Sequence, residues 1–187
     1  MKKIAIFASG SGSNAENIYE YFKTNKEVKI TYILTNRKDA KVIERAQRLD
    51  IPFKYFTKEE FNSVEFVDFL KEQADLIVLA GFLLKIPESL TKAFENKMVN
   101  IHPALLPKYG GKGMYGDHVH KAVVANNETE TGITIHYVNE NYDEGAIIFQ
   151  ASTGVVPEDT YDTVADKVHQ LEYKHFPEVI EQVLDNI

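Results

Sequence analysis

Short apolar runs alternate with stretches of helical period along this chain, the pattern expected of a sheet whose strands are joined by crossover helices. Ile4–Ala8 is fully apolar and predicts a first buried strand, Asn14–Lys23 a helix, Ile30–Leu34 a second strand, Ala40–Leu49 a helix and Phe53–Tyr55 a short third strand. Thr57 with Glu60 forms a capping-box pattern for a helix carrying Phe61, Val64, Phe69 and Leu70. The run Asp75–Ala80 returns as a central strand, apolar at nearly every position as a strand covered on both faces must be. Met98–Ile101 is the next strand, followed by the glycine-rich break Gly110-Gly111-Lys112-Gly113 and a helix around His118–Ala125. Gly132–Val138 and Ile147–Ser152 predict a hairpin-like pair joined by the acidic surface loop 139–145. Val164, Val168, Leu171, Val179, Ile180, Val183 and Leu184 predict a C-terminal helical region interrupted near Pro177. The expected fold is α/β, doubly wound and Rossmann-like, with a mostly parallel sheet flanked by helices. The 187 residues are expected to form a single domain.

Composition changes this picture mainly by exclusion. The content of 44% hydrophobic and 26% charged residues fits a globular protein, and no repeat is present. With no cysteine, disulfides, thiolate nucleophiles and thiolate metal sites drop out, leaving His, Asp, Glu, Asn and backbone groups to do any chemistry. A net charge of −7 opposes nucleic acid as a partner, because phosphate neutralisation needs a basic footprint. No apolar run is long enough for a signal segment or a bilayer span, so the expectation is a cytoplasmic protein with no membrane association.

Two segments carry candidate chemistry. In Asn100-Ile101-His102-Pro103 the two polar residues lie two apart at a strand end, so they share a face and aim an amide and an imidazole at one point. Pro103 fixes φ and ends the strand there. Those two donors suit an oxyanion, and Asp143, in a loop able to reach the same edge, completes a polar trio. The second segment, Ser9-Gly10-Ser11-Gly12-Ser13-Asn14, lies between the first strand and the first helix, where glycines allow close approach and a helix N-terminus attracts phosphate. Ser13 and Asn14 add side-chain donors, or one of them simply caps the helix. Gly10-x-Gly12-x-x-Ala15 also fits a dinucleotide fingerprint loosely, with Arg37 available for a 2′-phosphate, so a nucleotide-dependent oxidoreductase is an alternative. His118, His120, His136, His169 and His175 are assigned no site role, and no metal site is expected.

With Leu79-Ala80-Gly81-Phe82 and Asp143-Glu144-Gly145 added to these two segments, the chain resembles the phosphoribosylglycinamide formyltransferase family of folate-dependent transferases over almost its whole length. The resemblance implies formyl transfer from 10-formyltetrahydrofolate, a co-substrate, to the amine of 5′-phosphoribosylglycinamide in purine biosynthesis. Residues 1–100 would form the phosphate-binding half, and 101–187 would complete the folate and catalytic part. It implies that His102 is catalytic and Asp143 assists it. Asn100 would contact the formyl donor, and Gly12, Ser13 and Asn14 would bind the substrate phosphate. Leu83, Leu84, Lys85 and Ile86 would line the folate pocket, Lys58 would be a basic folate contact, and Glu172 would meet the glycinamide part. The basic residue after Gly81-Phe82 comes late here, at Lys85, which puts side-chain contacts to folate in question more than backbone ones.

For such a transfer Asp143 is expected to hold His102 and favour its charged form, which would stabilise the oxyanion together with Asn100. Other formyl-handling enzymes, such as a methionyl-tRNA formyltransferase, and a binding-only relative are further alternatives. The expected partners are small molecules only, with the protein a monomer or homodimer.

Overall fold

The computed structural model describes residues 1–187. In chain order the elements are β1 (Lys2–Phe7), α1 (Ser13–Phe22), β2 (Val28–Thr35), α2 (Val42–Arg48), β3 (Phe53–Tyr55), α3 (Lys58–Phe61), α4 (Val64–Gln73) and β4 (Leu76–Leu79). They continue with α5 (Glu88–Ala93), β5 (Met98–His102), α6 (Asp117–Ala125), β6 (Glu130–Tyr137), β7 (Ile147–Gly154) and α7 (Tyr161–Asp185). One seven-stranded sheet runs through the molecule in the order β3-β2-β1-β4-β5-β6-β7. The first five strands pair parallel, and β5-β6 and β6-β7 pair antiparallel.

Period-two alternation divides the central strands between two cores. Ile4, Ile6, Leu76 and Val78 face the larger core with α1, α2, α6 and α7, while Ala5, Phe7, Ile77 and Leu79 face the smaller one with α4. Both faces are covered, which explains the continuous apolar runs of β1 and β4. From β1 the chain winds outward to β2 and β3, then crosses back to β4 on the other side. The carboxyl ends of β1 and β4 therefore splay apart at a topological switch point, where ligands bind in open α/β sheets.

Several boundaries depart from the pattern reading. The segment expected to be one helix after Thr57 is two. The Thr57–Glu60 capping box is present, but α3 ends at Asn62, and the Ser63 hydroxyl accepts from Phe66 N to start α4, leaving Val64 exposed. Helix α5 carries too little periodicity in its six residues to be anticipated. The expected break near Pro177 does not occur, since α7 is continuous over 25 residues. A proline at 177 has no N–H to donate to the carbonyl of Tyr173; that carbonyl instead accepts from Asn17 Nδ2 on α1 at 2.9 Å, so the lost bond is replaced and the helix carries on.

The smaller core holds an aromatic cluster of Phe7, Phe56, Phe61 and Phe66, on which Phe82 rests with its ring 5.2 Å from that of Phe7. This cluster is the floor beneath the 81–86 segment. Truncating its fully buried member, Phe56→Ala, should cost about 3–5 kcal/mol of stability. Urea denaturation of the two proteins checks this, and a loss under about 1 kcal/mol would contradict the packing described.

Candidate functional site

The loop from Ser9 to Asn14 is shaped by glycine and held by α2. Gly12 sits at φ 75°, in the left-handed region, and a Cβ there would stand 2.3 Å from Val42 Cγ2, so the residue satisfies both a backbone and a space requirement. Val42 N donates to Gly10 O at 3.1 Å, and Arg45 Nε donates to Ser11 O at 2.7 Å. Arg45 is itself held by Glu16. Neither Ser13 nor Asn14 caps α1: Gly12 occupies the N-cap position without a side-chain bond, and while the Ser13 N–H donates to Ser11 Oγ at a long 3.4 Å, the next N–H groups of the helix are free to face a ligand. Asn14 is committed elsewhere, with its Nδ2 donating to Glu172 Oε2 at 2.8 Å and its Oδ1 buried without a partner. Its expected role as a side-chain phosphate donor is thus reduced to the N–H that Glu172 leaves unused, and backbone N–H groups dominate this end. Burial pushes the Glu172 carboxyl above the usual carboxylate range, against the opposing pull of Asn14 and His169.

At the switch point the end of β1 lies beside the end of β4, and Ser9, just beyond β1, joins the two edges. Its hydroxyl donates to Asn36 Oδ1 at 2.7 Å and accepts from Leu83 N at 3.0 Å, which ties the phosphate-type loop to the 81–86 segment. Leu83 and Lys85 are exposed there, and Ile86 is buried.

Strand β5 ends at His102 rather than one residue earlier, and its final turn is tied to β6 through buried Thr134. The Thr134 hydroxyl donates to Ala104 O at 2.7 Å and accepts from Leu106 N at 3.0 Å, so the segment between the two prolines is clamped as well as conformationally restricted. His102 is 3% exposed, and its Nε2 lies 2.7 Å from Tyr109 O. A carbonyl only accepts, so Nε2 carries the proton and Nδ1 of the neutral ring carries a lone pair. That Nδ1 faces Asp143 Oδ2 at 3.6 Å. Asp143 stands at φ 54°, an uncommon conformation for a residue other than glycine, and its Oδ2 accepts from Gly111 N at 2.9 Å. Its Oδ1 is 3.6 Å from His136 Nε2, and that same nitrogen is 3.1 Å from Asn100 Nδ2. Of the expected trio, His102 faces Asp143 directly, and Asn100 is linked to Asp143 through His136.

The charge state differs from the expectation. Burial lowers the His102 pKa, and this outweighs the opposing effects of Asp143 and the Tyr109 carbonyl, so the resting ring is neutral near pH 7 rather than imidazolium. For Asp143, burial acts upward but is outweighed by His136, His102 and the Gly111 N–H, which together hold the carboxyl below its ordinary value. The arrangement is a neutral imidazole facing a carboxylate, ready to take a proton on Nδ1 and be compensated by the charge beside it.

These parts surround one cavity of about 650 Å³, large enough for two small substrates. Gly12, Ser13, Asn14 and Glu172 line one region, Leu83, Leu84, Lys85 and Ile86 another, and Asn100, His102 and Asp143 lie in the same wall. Lys58 is not among the residues that line it and is exposed at the start of α3. His120, His136 and His169 do line it, although the sequence reading assigned them no role. His120 is buried with Nδ1 unpartnered, and burial lowers its pKa. Only the register of β6 against β5 reveals His136, because it pairs directly with Asn100. No group of three or more His, Asp or Glu is placed to hold a metal ion.

A glycine-shaped loop at a helix N-terminus and a histidine–carboxylate pair share one cleft of a doubly wound α/β sheet. The family model described as formyl transferase matches residues 2–180, and the chain belongs to that family. It is 38% identical to the phosphoribosylglycinamide formyltransferase of Bacillus subtilis (strain 168), over 98% of this chain and 95% of that one. It is 40% identical to the chloroplastic phosphoribosylglycinamide formyltransferase of Arabidopsis thaliana over 96% of this chain, but spans only 64% of that longer protein. Among solved structures, glycinamide ribonucleotide transformylase 1 from Geobacillus kaustophilus superposes with a TM-score of 0.88 at 36% identity, covering 98% of this chain and 99% of that one. Membership removes the dinucleotide-oxidoreductase alternative; Arg37, its proposed 2′-phosphate contact, is paired with Asp39 at 3.3 Å.

Because the folded-state pKa of His102 lies below the unfolded value, the neutral ring contributes stability that is complete above about pH 6.5 and is lost as the pH falls. Replacing Asp143 by Asn removes an influence that raises this pKa, so Asp143→Asn should move it lower still. Histidine titration by NMR checks the sign; an upward movement would contradict the charge arrangement described.

Proposed function

We propose that this protein transfers the formyl group of 10-formyltetrahydrofolate to the amine of 5′-phosphoribosylglycinamide, giving the N-formyl product and tetrahydrofolate. The observation that carries the reading is the joining, in one cavity, of a helix N-terminus free to take phosphate and a neutral histidine beside a carboxylate. Relatives similar over nearly their whole length, such as the Bacillus subtilis protein, bear the name of this activity.

In this reading the substrate phosphate meets the N–H groups at Gly12, Ser13 and Asn14, where the helix dipole favours an anion. Glu172, at the far side of Asn14, meets the acceptor's polar part. The folate ring system lies along Leu83–Ile86, contacting backbone groups, and Lys58 takes no part. Attack by the neutral amine on the formyl carbon forms a C–N bond and places negative charge on the formyl oxygen, which the free N–H of Asn100 stabilises. The new ammonium must lose a proton and the departing folate nitrogen must gain one. His102 accepts that proton on Nδ1, with Asp143 stabilising the imidazolium, and returns it to the leaving nitrogen as the old C–N bond breaks. No covalent intermediate and no metal enters the sequence. The protein acts as a monomer or a homodimer. An RNA-borne acceptor is disfavoured by the net charge of −7.

Formyl transfer followed by folate absorbance on addition of phosphoribosylglycinamide tests the reading. Asn100→Ala and His102→Ala should each lower kcat about 10²–10³-fold with smaller effects on KM. Because both act on one intermediate, the double variant should lose less than the product of the single losses. Absence of turnover in the folded wild type would overturn the reaction, and wild-type turnover in His102→Ala would overturn the residue assignment. Asp143→Asn should keep substrate affinities and lower kcat strongly; unchanged kcat would remove Asp143 from the scheme.

A further inference from the structure

We propose that His136 is a positioning residue that fixes which way the Asn100 amide faces at the reacting centre. The inference deepens the formyl-transfer reading and rests on it for its kinetic arm. In the β5-β6 ladder Asn100 pairs directly with His136, so their side chains stand on the same face, as near as two strands allow. A register shift between Ile135 and His136 in the pairing with β7 lies at this point, the kind of irregularity that re-aims a side chain.

The ring of His136 is 2% exposed and both of its nitrogens have partners. Nδ1 lies 2.8 Å from Tyr137 O, which can only accept, so the proton sits on Nδ1. Nε2 then bears a lone pair, and 3.1 Å away stands Asn100 Nδ2. A lone pair there accepts the N–H of Asn100 and repels its Oδ1. The amide is thereby held in one of its two orientations, with one N–H spent on His136 and the other left for the cavity. Without His136 the amide is free to turn and present its oxygen to a developing oxyanion, which is repulsive.

The Tyr137 carbonyl that locks the tautomer is itself enclosed. A Cβ at residue 145 would stand 1.7 Å from that oxygen and 3.5 Å from His136 Nδ1, so only glycine allows the loop carrying Asp143 to pack there. Gly145 thus covers the carbonyl, while Asp143 Oδ1, 3.6 Å from Nε2, stays beyond hydrogen-bond distance and leaves that lone pair to Asn100.

Two measurements test this, the first independent of any activity. Nitrogen-15 NMR of the ligand-free wild type should show His136 as the Nδ1–H tautomer, with Nε2 unprotonated at neutral pH. A protonated Nε2 would overturn the proposal, whatever reaction the protein catalyses. The second is the formyl-transfer kinetics of His136→Leu and His136→Gln in wild-type and Asn100→Ala backgrounds. In the wild-type background, His136→Leu should lower kcat about tenfold or more with KM values changed less than about threefold. His136→Gln, whose oxygen accepts where Nε2 did, should restore most of that loss. In the Asn100→Ala background, His136→Leu should change kcat less than about twofold, because the residue it acts through is gone. Equal losses in both backgrounds, unchanged kcat in His136→Leu, or no rescue by Gln would each overturn it. A correct tautomer with no formyl transfer by the wild type would instead fault the proposed reaction and leave the positioning geometry standing.

Discussion

The arrangement at the carboxyl edge of the sheet depends on one carboxylate. Asp143 receives the Gly111 N–H and stands equally far, at 3.6 Å, from His102 and His136, so it joins the glycine-rich loop, the end of β5 and the end of β6. Taking a carboxylate out of water is costly unless donors and nearby positive charge replace the lost solvation. Here a backbone N–H supplies a full hydrogen bond, and the two imidazoles are positioned to supply charge or polarity when needed. The left-handed backbone at Asp143 is tolerated because Gly145, two residues on, packs tightly on Tyr137 and holds the loop there.

That centre exists because of strand order. Parallel winding outward from β1 in one direction and from β4 in the other opens a crevice, and the antiparallel addition of β6 and β7 brings a second set of side chains beside β5. The phosphate-type loop, the 81–86 segment and the histidine centre are then within one cavity although parts of them lie well over a hundred residues apart in sequence. Ser9 joins the first two by hydrogen bonds to Asn36 and Leu83, and Thr134 anchors the third to β6. Binding a phosphate at one end of a rigid frame therefore sets where an attached amine can reach at the other.

Much of this was legible in local pattern. The apolar runs of β1 and β4 identified a doubly wound sheet because both faces of those strands are covered, and two-residue spacing placed Asn100 and His102 together. Asp143 was legible as a loop acid able to reach that edge. What escaped depends on distant parts. His136 gains its partner only through strand register, which no single segment encodes, and the neutral state of His102 comes from burial by groups remote in sequence. Pro177 misled because the side chain that replaces its missing bond, Asn17, belongs to another helix. Lys58 was carried over from a resemblance whose flanking residues match poorly, and it is exposed at the start of α3, not among the residues that line the cavity.

The most direct test of the account is a crystal structure with phosphoribosylglycinamide and a folate lacking a transferable formyl group bound together. The account predicts the phosphate on the N–H groups at Gly12–Asn14 and the folate ring along Leu83–Ile86. It also predicts that the amine sits beside Asn100 and His102. A phosphate seated elsewhere, or an amine directed away from His102, would contradict it.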